Sequence, residues 1–158
     1  MSVFEQLQQL LEGEGARFRV LSHSAEGKSD EVARIRGTTP GQGAKAMLCK
    51  TRNAEHWVLA VLPGDQKLDF RLLAAALGLP KMTMASAEEA TERTGCVIGA
   101  IPPFSPGPQV ALVVDPDLVD RHAEIAFNAG RLDRSMVLNA QDYVRVAKPA
   151  LHRICAMG

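Results

Sequence analysis

The residue whose type and setting best suit ligand chemistry is Lys45. It lies in the segment Gly43 to Lys50 (GAKAMLCK), between a glycine-rich loop and an apolar stretch with the pattern of a strand. A lysine held at the start of a strand, beside a flexible loop, is well placed to meet a phosphate group. The segment lacks the GxxxxGK motif of a Walker loop, so it does not predict a P-loop. The alternative is that Lys45 lies at the edge of a sheet with its ammonium group in solvent.

A second candidate is the loop from Gly95 to Phe104 (GCVIGAIPPF). Two glycines four residues apart and two consecutive prolines make a stiff segment, because proline fixes φ and restricts the residue before it. Such a loop exposes main-chain amides and carbonyls that can hydrogen-bond a ligand. It could equally be a tight connection between two elements.

A third candidate is Asn128, in the segment Phe127 to Gly130 (FNAG), where a strand end runs into a glycine turn and places one amide at the mouth of a sheet. The sequence contains neither a GxSxG nor an HExxH motif, and nothing in it indicates a Ser-His-Asp grouping. An enzyme built from these pieces would act by positioning and by backbone donors. Its substrate would already be activated, as an ester is.

The composition of the chain restricts the class of protein to which these candidate residues belong. The chain has 158 residues, 46% of them apolar, and its 18 basic residues balance 18 acidic ones. This predicts one globular domain and excludes a wholly disordered chain. No apolar run approaches the ~18–20 residues of a membrane span, and the acidic, amphipathic start is unlike a secretory signal, so we expect a cytoplasmic protein.

Cysteine and histidine usage gives no sign of a metal or a disulfide. The three cysteines, Cys49, Cys96 and Cys155, form no CxxC pair, which argues against a disulfide scaffold and a zinc knuckle. We expect them to be buried thiols. The four histidines lack the spacing of metal ligands, so we expect neither a metal nor another cofactor.

The charge is distributed unevenly along the chain. The segment Arg17 to Arg52 carries eight basic and three acidic residues, a net charge of +5. A local positive field suits a polyphosphate partner, since phosphate contacts dominate affinity for nucleic acids. The alternative is a solvated face without a partner.

The spacing of apolar and turn residues predicts the elements that position these candidates. We expect helices over residues 3–11, 29–36, 68–77, 86–93 and 141–147, and strands over residues 16–21, 44–51, 56–62, 109–114, 125–127 and 135–138. Because strands and helices are interspersed without a regular βαβ rhythm, the sequence predicts one α+β domain over residues 1–158, with a mixed sheet.

Taken together, these segments resemble the YbaK/ProX superfamily of aminoacyl-tRNA deacylases, a domain also inserted in bacterial prolyl-tRNA synthetase. The resemblance spans nearly the whole chain, through the His23 segment, GAKAMLCK, TGCVIGAIPPF and FNAGRLDRSMVLNAQDY. It is strongest to free-standing members with a GAKA…GAIPPF…FNAG pattern, which the family associates with removing serine or threonine from tRNA. It implies an α+β domain whose mixed, partly barrel-like sheet is flanked by helices.

The resemblance also implies an activity, a trans-editing deacylase that hydrolyses the ester of mischarged tRNA. The amino acid would be serine or threonine, with alanine and cysteine as alternatives. Lys45 would hold the phosphate near the terminal adenosine, and a positioned water, helped by the terminal ribose hydroxyl, would cut the bond. The segment from Gly99 to Pro103 matches the family's GxxxP loop, and the main chain of this loop would orient the ester through Gly99, Ala100, Ile101 and Pro103. The aminoacyl pocket would be lined by His23, Asn128 and Gly130.

The expected partners are the acceptor end of aminoacyl-tRNA and, as a second candidate, an aminoacyl-tRNA synthetase. We expect no DNA and no membrane, and a monomer or a weak homodimer. Two other functions stay open: a non-catalytic tRNA- or synthetase-binding module of the same fold, and a Schiff-base enzyme that uses Lys45. The aromatic content of 4% argues against a platform that stacks single-stranded bases, and a Schiff-base lysine requires a lowered pKa.

Overall fold

The computed structural model describes residues 1–26 and 28–157 and arranges them as helices packed around two β-sheets. The helices are α1 (Val3–Gly13), α2 (Ser29–Arg36), α3 (Phe70–Leu77), α4 (Ala87–Thr94), α5 (Pro116–Asp120) and α6 (Ala140–Ala147), with a 3-10 turn at Pro40–Gln42. The strands are β1 (Phe18–Ser22), β2 (Ala44–Thr51), β3 (Trp57–Pro63), β4 (Met82–Met84), β5 (Val110–Val114), β6 (Glu124–Arg131), β7 (Arg134–Asn139) and β8 (Ala150–Leu151). The predicted α+β class is confirmed.

The helix ends follow signals that are visible in the sequence. At the start of α4, the Ser86 hydroxyl accepts from the main-chain N–H of Glu89, and the Glu89 carboxylate accepts from the N–H of Ser86. This capping box satisfies two N–H groups that have no partner within the helix. Helix α2 ends at Gly37, whose φ of +73° is a left-handed conformation that glycine adopts without a steric cost. None of the described helices is both long and apolar enough to cross a membrane.

The two sheets meet beside the first residues of β2. One sheet has the order β1-β7-β6 and is antiparallel; the other is mixed and has the order β4-β2-β3-β5-β8. Gly43 forms a single parallel bridge with Ala126 of β6, so β2 of the mixed sheet adjoins β6 of the antiparallel one. This junction brings the Lys45 segment and the Asn128 segment to the same part of the molecule.

The apolar core occupies both faces of the mixed sheet. The larger cluster contains residues of both sheets together with α1 and α6, including Leu59, Phe127 and Tyr143, each at most 1% exposed. The smaller cluster, around Leu73 of α3, covers the opposite face. Because β3 is buried along its whole length, its sequence WVLAVLP is apolar without the alternation of a half-exposed strand.

The structure differs from the predicted elements in the shortest ones and, by two residues or more, at four boundaries. One of these is the end of α1, which runs to Gly13 instead of residue 11. The turn at Pro40–Gln42 and the elements β4, α5 and β8 were not predicted, because two to five residues are too few to show a period. Helix α3 begins at Phe70, since Asp69 caps it. Strand β1 begins at Phe18. Strand β6 runs to Arg131, because a register shift between Asn128 and Arg131 lets the strand continue past Gly130.

Candidate active site

A cavity of about 250 Å³ opens between the first half of β2, strand β6, and Gly99 and Ile101 of the GxxxP loop with the preceding Ile98. Helix α2 and the end of β4 complete its wall. Its lining is mostly apolar: Val32, Ala44, Ala46, Met47, Leu48, Met84, Ala85, Ala90, Ile98 and Ile101. Arg36, Lys45 and Asn128 are its polar side chains, and no carboxylate is among the described lining residues. The cavity therefore favours ligand groups that are anionic or that accept hydrogen bonds.

The open edge of β2 forms one wall of this cavity. On that edge β4 pairs with β2 only from Cys49 to Thr51, and the N–H of Ala85 donates to the Leu48 carbonyl at 2.9 Å. Alternate residues of a strand present their main-chain groups to alternate edges, so the N–H and C=O of Ala46 point to the same edge as the Leu48 carbonyl. The wall thus offers main-chain groups as well as side chains.

Lys45 is a half-buried residue of the cavity lining, and its ammonium group lies at the turn that follows β3. Its Nζ donates to the carbonyl oxygen of Gln66 at 2.5 Å, in the turn that follows β3. Burial lowers the pKa of the Lys45 ammonium group, and the nearby Cys155 and Asp65 oppose that effect. No described carboxylate lies within 4 Å of Nζ. An ammonium group has three N–H donors, so two remain for a ligand.

The GxxxP loop is held in place by hydrogen bonds that its main-chain groups form with neighbouring residues. The N–H of Ala100 donates to Val97 O at 3.0 Å, and Ala100 O accepts from the N–H of Gly130 at 2.9 Å. Pro103 O accepts from the hydroxyl of Tyr143 at 2.6 Å, and burial raises the pKa of that phenol, which keeps it a donor. Ala100 and Pro103 are buried outside the lining, so they support the loop rather than face the cavity.

Two main-chain donors of the Gly99 to Pro103 loop have no hydrogen-bond partner among residues 1–26 and 28–157. The N–H groups of Gly99 and Ile101, both residues of the lining, make no hydrogen bond to any residue that the structure describes. Because the other main-chain groups of the loop fix its shape, these two donors are oriented before a ligand arrives. Main-chain N–H groups without a protein partner are the kind of donor that can stabilise a developing negative charge on a carbonyl oxygen.

Asn128 joins this loop to the rest of the wall. Its Oδ1 accepts from Arg36 Nη2 at 3.1 Å and from the Ser135 hydroxyl at 3.0 Å. Its Nδ2 donates to Glu26 O at 2.8 Å and to Gly99 O at 2.9 Å. An amide side chain offers two N–H donors and two lone pairs, so all four positions are used. Asn128 lines the cavity, yet it acts as part of the framework.

The family resemblance places His23 and Gly130 in the aminoacyl pocket. In the structure, neither residue is among those that line the cavity. The His23 ring bonds Ser24 O through Nδ1 and the Ser135 hydroxyl through Nε2, each at 2.7 Å. Gly130 has a φ of +84°, and a Cβ at its position would lie 3.0 Å from the Cβ of Val3 in α1. Both residues therefore support the wall from behind, through Ser135 and through the GxxxP loop.

Arg36 is a site residue that the sequence analysis treated only as part of a positive segment. Its Nε donates to the Ser135 hydroxyl at 2.8 Å and its Nη2 donates to Asn128 Oδ1. Burial lowers the pKa of this guanidinium to about 10, and no described carboxylate lies within 4 Å of it. The contacts join residues 92 and 99 positions apart, so no local pattern indicates them.

The positive segment Arg17 to Arg52 is partly neutralised within the molecule. Four of its eight basic residues form ion pairs: Arg17 with Asp142, Arg19 with Glu124, Arg34 with Glu31, and Lys50 with Glu89. Within the part of the chain that the structure describes, the side chains of Lys28, Arg36, Lys45 and Arg52 form no ion pair. Two of these four line the cavity, so the uncompensated positive charge is concentrated there.

Comparisons with known proteins match most of the chain to one family of domains. A family profile described as aminoacyl-tRNA editing domain matches residues 23–146. The multifunctional Ser/Thr-tRNA deacylase ProXp-y of Escherichia coli K12 is 51% identical over 144 residues, which cover 90% of this chain and 86% of that protein. The proline–tRNA ligase of Kosmotoga olearia is 39% identical over 85 residues, which cover 54% of this chain and 14% of the ligase.

Two solved structures share the fold at low sequence identity. A hypothetical protein superposes with a TM-score of 0.86 at 21% identity, covering 96% of this chain and 99% of that one. A candidate trans-editing enzyme for prolyl tRNA synthetase superposes with a TM-score of 0.84 at 21% identity, covering 99% of both chains. These likenesses support the α+β arrangement of helices around two sheets.

Proposed function

The chain belongs to the family of aminoacyl-tRNA editing domains, and from this membership we propose that it is a trans-editing aminoacyl-tRNA deacylase. The bond it hydrolyses is the ester that joins serine or threonine to a mischarged tRNA, the substrate class that the name of its Escherichia coli relative gives for that protein. A synthetase separates amino acids that differ by one methylene by only ~1–3 kcal/mol, so a second site is needed to remove errors.

The observation that carries the proposal is the meeting of Lys45 with the Gly99 and Ile101 main chain in one cavity. An aminoacyl ester at the tRNA terminus has a phosphate on one side and a carbonyl on the other. The Lys45 ammonium group binds the phosphate, because a charge-assisted hydrogen bond is stronger than a neutral one. The N–H groups of Gly99 and Ile101 then face the ester carbonyl.

Hydrolysis follows from this placement without a protein nucleophile. Water attacks the ester carbonyl, and the two N–H donors stabilise the oxyanion; one well-placed donor contributes roughly 3–4 kcal/mol. The bond between the carbonyl carbon and the ribose oxygen then breaks, which releases the amino acid with its carboxyl group. The ribose oxygen takes up the proton lost by the attacking water, and the neighbouring ribose hydroxyl assists this proton transfer. Cysteine does not replace the water, since burial raises the pKa of the Cys49 and Cys155 thiols to about 12 and keeps them protonated at neutral pH.

The proposed partner is the acceptor end of tRNA, bound by the few unpaired cations near the cavity. A synthetase is proposed as a second partner, and the match to proline–tRNA ligases supports that choice. We propose that residues 1–158 act as one editing domain, as a monomer or a weak homodimer, in the cytoplasm where tRNA is charged.

The test is release of amino acid from a tRNA charged with serine or threonine. We expect turnover by the purified protein and a loss of at least about 100-fold for Lys45→Ala, because the phosphate loses its partner. Lys67→Ala is the matched control, since Lys67 is an exposed lysine close to Lys45. Full activity of Lys45→Ala would reject the mechanism, whereas tRNA binding without turnover on any charged tRNA would identify a non-catalytic binding module.

A further inference from the structure

We infer that Arg36 selects the amino acid, by donating a hydrogen bond from Nη1 to the side-chain oxygen of the serine or threonine ester. The inference rests on the proposed function and deepens it, because it names the group that separates hydroxylated from aliphatic side chains. Neither the sequence pattern nor the family resemblance assigned a role to this residue.

The first argument compares the polar side chains of the cavity by the N–H donors that are not used in hydrogen bonds within the protein. Asn128 uses its two N–H groups and both lone pairs within the protein. Lys45 points toward the turn at Gln66 and is the proposed phosphate ligand. The Nη1 group of Arg36 makes no hydrogen bond to any side chain or main chain that the structure describes. Arg36 is therefore the lining side chain whose free donor can hydrogen-bond the side chain of the bound amino acid.

The second argument is that the protein fixes where Nη1 points. A guanidinium group is planar, and the bonds from Nε to Ser135 and from Nη2 to Asn128 hold two of its three nitrogens. The third nitrogen, Nη1, then lies next to Gly43, where a built Cβ would be 3.7 Å from it. Gly43 itself lines the cavity. The donor is thus oriented before the substrate binds, which reduces the cost of binding.

The third argument is the chemistry of a cation in an apolar pocket. Arginine has five N–H donors and no acceptor, and a pKa near 10 keeps it charged at neutral pH. A serine or threonine oxygen accepts from such a donor. Alanine and valine offer nothing to it, so their binding would remove water from the guanidinium without replacing its hydrogen bond. The α-ammonium group of the ester is not a partner for Nη1, because both groups are cations and neither accepts a hydrogen bond.

The test compares substrates that differ only in the hydroxyl group. One tRNA is charged in turn with serine, alanine, threonine or valine, and kcat/KM is measured for release of each amino acid. Threonine and valine have nearly the same shape, so their ratio isolates the hydrogen bond. We expect the unmodified protein to favour each hydroxylated substrate by about 10- to 150-fold, the usual range for a hydrogen bond to a charged group.

Substitution then assigns the preference to Arg36. Arg36→Met should bring both ratios close to one, and Arg36→Lys should retain part of the preference. Ser135→Ala disturbs the same network without removing Nη1, so it should lower all four rates alike. Arg34→Met is the matched control on α2, since Arg34 is exposed and pairs with Glu31; it should leave the ratios unchanged.

Two results would overturn the inference. One is a ratio near one in the unmodified protein, which needs no variant to fold. The other is an Arg36→Met protein in which all four rates fall equally, because Arg36 would then only hold Asn128 in place. Failure of the proposed function looks different, since the unmodified protein would then release none of the four amino acids.

Discussion

The side-chain nitrogen of Asn128 lies 2.9 Å from the carbonyl oxygen of Gly99, a residue 29 positions earlier in the chain. The bond ties a strand of the antiparallel sheet to the loop that carries the two unpartnered N–H donors. The other side of the same amide is held by Arg36 and Ser135. One buried side chain therefore sets the position of the oxyanion donors relative to the guanidinium.

Asn128→Asp tests this relationship with almost no change of shape. The new carboxylate can still accept from Arg36 and Ser135, but it has no N–H to donate to Gly99 O. We expect kcat for deacylation to fall about tenfold or more, because the donors of the loop lose their fixed position. The protein should remain folded by circular dichroism. An unchanged kcat would show that the loop keeps its shape without this bond.

Gly130→Ala tests the contact between the GxxxP loop, β6 and α1. An added Cβ would lie 3.0 Å from the Val3 Cβ, and φ of +84° is strained for alanine. We expect the free energy of unfolding to fall by roughly 2–4 kcal/mol, measured by denaturant titration. Gly78→Ala is the control, since its φ is +64° but no atom lies within 4 Å; it should cost about 1 kcal/mol. Equal losses in the two variants would contradict the contact.

The Arg17–Asp142 pair predicts a specific loss of stability in acid. The Arg17 side chain and main-chain N–H both donate to the Asp142 carboxylate, at 2.9 and 2.8 Å, and they lower its pKa to about 2. A carboxyl group whose pKa is lower in the folded state stabilises the protein above about pH 4 and loses that effect as the pH falls to about 2.

Asp142→Asn should therefore flatten the pH dependence of the unfolding free energy between pH 4 and pH 2. Denaturant titrations at several pH values measure that slope for both proteins. Asp120→Asn, at an exposed carboxylate, serves as the control and should keep the slope of the unmodified protein. If the slope is the same in all three proteins, Asp142 does not contribute to the pH dependence of the unfolding free energy.

The three cysteines are free and buried, as their spacing predicted, and this leads to a test by thiol labelling. Burial raises the pKa of each thiol, to about 12 for Cys49, so little thiolate is present at pH 8. We expect a disulfide reagent such as DTNB to label no cysteine in the folded protein and three after unfolding in guanidinium chloride. Rapid labelling before unfolding would show that one thiol is accessible.

What the sequence predicted correctly depends on short-range signals. The predicted helices over residues 29–36 and 86–93 and the predicted strands over residues 44–51 and 56–62 are each set by residues close together in the chain. Lys45 and the GxxxP loop can also be identified as candidates from the local sequence alone, because their residue types are unusual for their positions. The predicted elements are confirmed, and the roles of Lys45 and the GxxxP loop in the site stay predictions.

What the sequence did not predict depends on partners that are far apart in the chain. Arg36 looks like the last residue of a helix, and only the packing of α2 against β6 and β7 turns it into the wall of a cavity. Asn128 looks like a ligand of the substrate until its four hydrogen bonds are counted. Neither fact can be obtained from spacing, because it requires the register of three separate elements.

The open edge of β2 has a consequence for how this protein avoids self-association. An unpaired strand edge with apolar side chains is a template onto which another chain can add, and many proteins cover or charge such edges. Here residues of α2 and of the GxxxP loop line the same cavity as the β2 segment before Cys49, so they partly cover this edge. Loosening either wall should therefore increase aggregation as well as impair turnover.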